Sequence, residues 1–342
     1  MTVTRFLSRA PRLPGRAFAL ALVASGALLA GPVAQAADTV RFQTDWLPSG
    51  EHAMYYGGWE KGFFAQEGID ITIVRGYGPS DTVAKAPTGS FDFGVADASS
   101  VLTARARQGL PVKSIAVIYS HSPHSLFVLK DSGITSLKDL EGKRIGAPAG
   151  NSHRVYFPAV AAKAGVRPER VNWVTMDAAA LGAQLIAGNV DAIPLYTIHL
   201  GALNDAARKA GKEVVALPYV DAGFRIYAAT IIASDKVLAE KPDLTRRFLK
   251  AVKHSFEWAR DNPEEACRAH VRKVPEVGYD VCLISLKATL PFVFNAHEKE
   301  FGWGGVSPER LAATWAAVAQ AQGLDPAWNP AQGVDTSFLP AR

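Results

Sequence analysis

The chain has few cysteines, few methionines and almost no charge imbalance outside its first residues. Its 342 residues contain two cysteines, three methionines, and 37 lysines and arginines against 32 acids. Four arginines lie in residues 1–36, which hold no acid, so 33 bases face 32 acids in the remainder. This near-neutral remainder excludes a broad basic surface for nucleic acid. A composition of 48% apolar and 20% charged residues excludes a disordered, collagen-like or disulfide-dense chain.

Several motifs of common enzymes are also missing. The sequence has no G-x-x-x-x-G-K-[ST] phosphate loop, no G-x-S-x-G nucleophile elbow and no H-E-x-x-H metal motif. His121 and His124 are three residues apart, but Pro123 interrupts a helix between them and no third metal ligand is evident. The sequence therefore predicts no catalytic residue, no metal and no cofactor.

The first 36 residues have the pattern of an export signal. Arginines precede an apolar run from Ala17 to Ala30, which is shorter than the roughly 20 residues of a membrane span. Ala34 and Ala36 then provide the small residues of a cleavage site. The alternative is an uncleaved membrane anchor. We expect cleavage before Ala37 and a soluble exported chain, which in a Gram-negative cell is periplasmic.

The rest of the chain alternates short β-rich runs with helical stretches, which predicts an α/β fold with mostly parallel sheets. The same short pattern ends at Asp92 and again at Asp191: in each case a glycine lies three residues before the aspartate. We therefore expect two lobes of related topology, joined by two crossing strands at Leu126–Leu129 and Ala228–Ala233. The predicted organisation is a signal peptide (1–36), the first part of lobe 1 (37–125), lobe 2 (126–227), and a return to lobe 1 with C-terminal helices (228–342).

Cys267 and Cys282 are predicted to lie on neighbouring helices. In an oxidising compartment such a pair can form a disulfide, and a 15-residue loop would give about 3 kcal/mol of stabilisation in the chain-entropy model. The alternative is a pair of buried free thiols.

Ligands of open α/β sheets bind beyond the carboxyl ends of the strands. Polar and aromatic residues gather there in this sequence, and helix starts among them favour anions or acceptor oxygens. Each also has a structural alternative, as a helix cap or a core residue. The predicted ligand-binding residues are Trp46, His52, Tyr77, Asp97, Ser99, Ser100, Asn151, Ser152, His153 and Tyr196.

Several longer strings resemble one known family. They are Asp45-Trp-Leu-Pro48, Glu60-Lys-Gly-Phe-Phe64, Phe93-Gly-Val-Ala96, Leu137-Lys-Asp-Leu-Glu-Gly-Lys-Arg-Ile-Gly146 and Gly188-Asn-Val-Asp-Ala192. The chain resembles solute-binding proteins of ABC importers, in the group that binds alkanesulfonates, taurine and thiamine-pyrimidine precursors. The resemblance implies a monomer with two lobes that close on a small solute and deliver it to a membrane permease.

The segment Asp45–Pro48, with His52 four residues after Pro48, is most similar to the thiamine-pyrimidine branch of this group. That branch includes a synthase that consumes its own histidine and holds pyridoxal phosphate on a lysine. The matching stretch 96–102 has neither residue, and the matching stretch 221–229 has no cysteine. The branch's ligand-binding glutamate is also missing near Tyr196. The resemblance thus implies a binding protein for a pyrimidine-like, sulfonate or aromatic solute, with the synthase-like enzyme and a receptor-docking sensor as alternatives.

Overall fold

The computed structural model describes residues 36–341. The predicted signal peptide lies outside the described residues, except for Ala36. Among residues 36–341, no helix has both the length and the hydropathy to cross a membrane. The strands are β1 (Asp38–Gln43), β2 (Ile69–Val74), β3 (Phe93–Asp97), β4 (Val112–Val117), β5 (His124–Leu129), β6 (Arg144–Ala147), β7 (Asn172–Thr175), β8 (Ile193–Tyr196), β9 (Val214–Pro218) and β10 (Ala229–Ser234). The α-helices are α1 (Ala53–Glu60), α2 (Phe63–Gln66), α3 (Pro79–Lys85), α4 (Ala98–Gln108), α5 (Ser152–Ala164), α6 (Leu181–Ala187), α7 (Leu200–Lys209), α8 (Asp235–Glu240), α9 (Pro242–Asp261), α10 (Pro263–Lys273), α11 (Tyr279–Val293), α12 (Ala296–Phe301) and α13 (Pro308–Gln322).

The first sheet has the order β2-β1-β3-β10-β4. Strands β2, β1 and β3 pair in parallel, while β10 pairs antiparallel with both β3 and β4. Four of the five strands therefore run in one direction, as the predicted mostly parallel sheet requires. The buried side chains of β1 and β2, such as Val40 and Ile71, pack against helices that include α9.

The second sheet repeats this order. Strand β5 lies antiparallel between β8 and β9, β6 pairs in parallel with β7, and a parallel bridge between Ile145 and Ala192 joins the two groups. The combined order is β7-β6-β8-β5-β9, again with one strand reversed. This topology confirms the predicted α/β class with two mostly parallel sheets.

The repeated glycine–aspartate pattern has the same structural role in both sheets. Asp92 accepts a hydrogen bond from the backbone N–H of Arg41 at 3.0 Å, and its own N–H donates to the Arg41 carbonyl. Asp191 makes the same pair of bonds to Arg144, with the carboxylate contact at 2.7 Å. Each aspartate thus fixes the approach of the third strand of its sheet to the first, so the predicted internal repeat is confirmed at these positions.

The two reversed strands correspond to the segments that the sequence predicted as crossings. Strand β10 is buried at all six positions and β5 at five of its six. Such continuous burial is typical of central strands that are covered on both faces. The chain passes between the sheets just before each of them, in residues 118–123 and 219–228. The lobe boundaries proper stay a prediction.

Helices α9 and α10 complete the packing around the first sheet, whereas α13 packs against α5. Helix α9 buries one face that includes Phe248 and Val252, and α1 packs against both α9 and α10. Cys267 on α10 and Cys282 on α11 form a disulfide, as predicted. A Cβ built on Gly50 would lie 2.2 Å from the Cys282 carbonyl oxygen. Glycine at this position therefore lets the turn that follows β1 lie directly against α11.

Candidate functional site

A narrow cavity, with about 350 Å³ of empty space of which part is open to solvent, lies at the carboxyl ends of strands from both sheets. The first sheet contributes the residues after β1 and the start of α3. The second contributes the start of α5, the end of β8 and the turn that follows β8. The lining residues are Asp45, Trp46, Glu51, Pro79, Asn151, Ser152, His153, Pro194, Leu195, Tyr196 and His199. We call this the inner cavity.

One side of the inner cavity is acidic. Glu51 accepts a hydrogen bond from the Tyr119 hydroxyl at 2.6 Å and from the Ser49 hydroxyl at 3.0 Å. Its carboxylate lies 3.6 Å from Nε2 of His199, which belongs to the second sheet's half of the cavity. Asp45 lies 3.7 Å from Nε2 of His52, whose Nδ1 accepts a hydrogen bond from the Ser49 backbone. Both carboxylates are buried, so each interacts strongly with its neighbours.

Burial and neighbouring charges set the protonation of this side. Burial raises the pKa of Asp45 above its ordinary value, with Glu51 adding to the effect. Burial also opposes ionisation of Glu51, but the charges of His52 and His199 and two hydrogen bonds outweigh it and lower the pKa of Glu51. Burial lowers the pKa of His199 despite the opposing effect of Glu51. Burial opposes the protonation of His52, but Asp45 and Glu51 outweigh it and raise the pKa of His52. At neutral pH the wall thus keeps Glu51 ionised, and the imidazole that favours its charge is His52, because burial keeps His199 neutral.

The other side of the inner cavity presents uncharged polar groups. Asn151 caps α5 by accepting the His153 backbone N–H at 3.0 Å, which leaves its amide N–H₂ group for other partners. Ser152 lies 3.2 Å from Nε2 of His124. His153 is buried, and neither ring nitrogen has a hydrogen-bond partner of normal geometry among the described residues. Burial and the charge of His124 lower the pKa of His153 far below its ordinary value. The Leu195 carbonyl acts in the opposite direction but does not outweigh them. A neutral imidazole there can donate one hydrogen bond and accept another.

Asp97 is the centre of a buried network behind this wall. Its carboxylate accepts hydrogen bonds from the Ser99 hydroxyl at 2.8 Å, from Tyr156 at 2.8 Å and from Tyr196 at 3.2 Å. Nε2 of His124 lies 3.0 Å from the same carboxylate. Burial opposes ionisation of Asp97, but His124 and the hydrogen bonds lower its pKa. The carboxylate and the Ser152 hydroxyl face the same imidazole nitrogen of His124, whereas a hydrolytic triad places them on different nitrogens.

The structure separates the ten predicted site residues into three groups. Five line the inner cavity: Trp46, Asn151, Ser152, His153 and Tyr196. Four are buried behind its lining: His52, Asp97, Ser99 and Ser100. Tyr77 lies outside it and is 64% exposed. Trp46 also packs against the apolar cluster of the second sheet, so the tryptophan contributes to both the cavity and the packing.

Sequence reasoning missed three polar residues of the lining, Asp45, Glu51 and His199. Asp45 lies two residues after β1, and the other two lie in short turns, Gly50–His52 after β1 and Thr197–His199 after β8. Proximity to a strand end was the available signal, and the same criterion had selected the neighbouring His52 and Tyr196. Among residues 36–341, no lysine or arginine lines the inner cavity.

Comparisons with known proteins agree with this architecture. A model of the family described as NMT1/THI5 like matches residues 49–266. The chain is 28% identical over 322 residues to the riboflavin-binding protein RibY of Chloroflexus aurantiacus, covering 91% of this chain and 90% of that protein. It is 25% identical over 277 residues to the formylaminopyrimidine-binding protein of Halalkalibacterium halodurans, covering 80% and 83%.

An enzyme and a solved structure are also similar. The chain is 26% identical over 283 residues to the 4-amino-5-hydroxymethyl-2-methylpyrimidine phosphate synthase THI13 of Saccharomyces cerevisiae, covering 78% of this chain and 82% of that protein. The structure of the alkanesulfonate-binding protein SsuA from Xanthomonas axonopodis pv. citri superimposes with a TM-score of 0.68 at 16% identity, covering 88% of this chain and 99% of that one. That level of identity is evidence for the fold alone. The chain therefore belongs to the NMT1/THI5-like family, and its two sheets have the fold of a periplasmic solute-binding protein.

Proposed function

We propose that this protein is the exported solute-binding component of an ABC importer, and that its solute is a small flat nitrogen heterocycle carrying N–H groups. One observation carries the choice of solute. The inner cavity combines two carboxylates, imidazoles and an aromatic wall, with no lysine or arginine. Carboxylates accept hydrogen bonds from N–H donors, and neutral amide and imidazole groups can satisfy ring nitrogens and carbonyls.

The charge of the lining disfavours sulfonates and other anions. A unit negative charge placed about 4 Å from ionised Glu51 would cost on the order of 4 kcal/mol at an effective dielectric constant of 20. Within residues 36–341 no lysine or arginine lines the cavity, and His52, which lies behind the lining, is already engaged by Asp45 and Glu51. The start of α5 offers backbone donors on the other side of the cavity, but their effect is partial and an anion bound there would still face the two carboxylates. The sulfonate alternative is therefore the weaker proposal.

The names of two relatives fit the same chemistry. Riboflavin and formylaminopyrimidine both contain flat nitrogen rings with N–H donors, and the corresponding proteins are named for binding them. The enzyme alternative has less support in this chain. Residues 96–102, which match the synthase's histidine and lysine region, contain neither residue. The same stretch supplies Asp97 and Ser99 to a buried network instead.

Delivery to a permease and export follow from the same proposal. The two sheets would be the centres of two lobes that close when a ligand contacts both, with boundaries at 37–125, 126–227 and 228–342. A ligand that binds the closed form shifts the population toward it, and the closed form then docks on the permease. The predicted signal peptide would deliver the chain to the periplasm, and we expect the mature protein to be a monomer.

Calorimetric titration of the mature protein tests this proposal. The panel contains riboflavin, formylaminopyrimidine, taurine, an alkanesulfonate and nitrate. We expect binding by at least one heterocycle and none by the anions. The Glu51→Gln variant keeps the size of the side chain and removes its charge. It should weaken heterocycle binding by about 10- to 100-fold, because a charged hydrogen bond is worth roughly 1.5–3 kcal/mol. Tight binding of a sulfonate or nitrate, with no heterocycle bound, would refute the proposed solute class.

A further inference from the structure

A second hollow adjoins the inner cavity, and Trp46 lines both. This outer groove has about 450 Å³ of empty space, part of it open to solvent. Its lining includes Arg75 and Tyr77 from the loop after β2, Pro148 from the loop after β6, and Met176 and Asp177 from the loop after β7. Both sheets therefore build the outer groove, as they build the inner cavity. A solute that filled both would run past the Trp46 side chain.

Tyr77 is the main aromatic surface of the outer groove. It is 64% exposed, more than any other large apolar or aromatic side chain in residues 36–341. The Arg75 guanidinium lies 4.4 Å from its ring centroid. The loop is fixed on both sides of the ring: the Gly78 N–H donates to the Asp45 carbonyl at 2.9 Å, and a Cβ on Gly76 would lie 2.0 Å from the Thr44 carbonyl oxygen. The backbone thus holds Tyr77 at the mouth of the site without burying it.

The lining of the groove carries one cation and one anion from different sheets, and Lys85, which is paired with Asp81, lies 5.3 Å from the Tyr77 ring centroid. Arg75 makes no ion pair in the part of the chain that the structure describes. Asp177 uses Oδ1 to accept the Ala179 N–H at 2.8 Å, and it has no ion-pair partner among the described residues. A hydroxyl group can accept from a guanidinium and donate to a carboxylate, so several hydroxyls in a row suit both walls. A phosphate or carboxylate would suit Arg75 but would face the negative charge of Asp177.

We propose that the outer groove binds a polyhydroxylated chain attached to the flat ring that occupies the inner cavity. The hydroxyls bond to Arg75 and Asp177, and the carbon skeleton lies against Tyr77. This inference rests on the proposed function, because it takes the ring site as given. It narrows the solute class from flat heterocycles in general to heterocycles with a hydrophilic side chain.

Matched probes with and without the chain test this inference by calorimetric titration. The pairs are riboflavin with lumichrome, and cytidine with cytosine; riboflavin 5′-phosphate tests an anionic chain. We expect the hydroxylated member of a bound pair to bind about tenfold or more tightly, as one or two additional hydrogen bonds to charged groups imply. The phosphate should bind no more tightly than riboflavin, because Asp177 opposes the charge that Arg75 attracts.

Three variants locate the effect. Tyr77→Ala, Arg75→Gln and Asp177→Asn should each reduce the affinity ratio within a pair about threefold or more, and asparagine at 177 keeps the helix cap. The control is Tyr279→Ala, a tyrosine that also has an arginine near its ring, Arg268 at 5.5 Å, but lies outside both cavities. The control should leave the ratio unchanged.

The outcomes separate this inference from the proposed function. Equal affinity within a bound pair, or a ratio unaffected by all three groove variants, would overturn the outer groove while leaving the ring site intact. Tighter binding of the phosphate would assign the groove to an anionic chain and overturn the hydroxyl assignment. Failure of every ring probe to bind would overturn the proposed solute class, and the groove assignment with it.

Discussion

His270 offers a quantitative test of how burial shapes the stability of this protein. The imidazole is fully buried on α10 and stacks on Tyr56 with ring centroids 4.5 Å apart. Its Nε2 has no hydrogen-bond partner among the described residues, and its Nδ1 lies 3.8 Å from the Cys282 sulfur. Burial, helped by the charge of His52, lowers the pKa of His270 to about 3. The folded protein therefore holds this ring neutral throughout the mildly acidic range.

The sign and size of the pH effect follow from linkage. Because the pKa of His270 is lower in the folded state than the ordinary histidine value of 6.5, the unfolded chain takes up a proton first as the pH falls. The stability contributed by the neutral ring is complete above pH 6.5 and is lost progressively down to about pH 3. At about 1.4 kcal/mol per pH unit, His270 alone removes about 2 kcal/mol from the free energy of unfolding by pH 5.

The variant His270→Phe keeps an aromatic ring against Tyr56 and removes the proton site. Urea unfolding at pH 7.5, 6.0 and 5.0 measures the difference in unfolding free energy between variant and parent. As the pH falls from 7.5 to 5.0, the unfolding free energy of the variant should rise by about 2 kcal/mol relative to that of the parent. The matched control is His254→Phe, an exposed imidazole stacked on Phe63 at 3.8 Å. A difference that stays constant with pH, or one no larger than in the control, would refute the reasoning.

Three further predictions concern folding, binding and export. Replacing Cys267 and Cys282 together by alanine should lower the unfolding free energy by about 3 kcal/mol, measured by urea unfolding against the oxidised parent; unchanged stability would contradict it. Trp46→Ala should weaken solute binding by about 5- to 150-fold, and Ser152→Ala by roughly 2- to 13-fold, in calorimetric titration. Unchanged affinity in both, with Trp46→Ala melting at lower temperature, would place the site elsewhere. N-terminal sequencing of the exported protein should begin at Ala37, and an intact Met1 would exclude cleavage.

The fold could be predicted from the sequence because its signals are local and repeated. The alternation of β-rich and helical runs predicted the α/β class, and the glycine and aspartate pattern of each half marked the same turn. The directions of β5 and β10 could not be predicted in this way. An apolar run indicates that a strand is buried on both faces, but it carries no information about which way the neighbouring strands run.

The candidate site could be predicted in part, for a similar reason. Strand ends give the region, and Trp46 and His153 were found there. Which way a side chain points depends on the turn that carries it. Glu51 enters the inner cavity, whereas the adjacent His52 turns behind it toward Asp45. Asp97 satisfied the same sequence criterion, but its carboxylate is used by internal partners. Whether a side chain faces the cavity or an internal partner depends on contacts with residues that are far away in the chain.

The position of the Asp97 network has a mechanical consequence. Asp97 pairs with Ala229 across β3 and β10, and the next residue, Ala98, donates to the Ala228 carbonyl, so the carboxylate lies beside one of the two connections between the sheets. His124, which it also contacts, begins β5 immediately after the other connection. In any rotation about these connections, a point moves in proportion to its distance from the axis. Asp97 and its partners lie close to the two connections, so such a rotation moves them little and their hydrogen bonds can persist. The same rotation moves more distant groups through a longer arc.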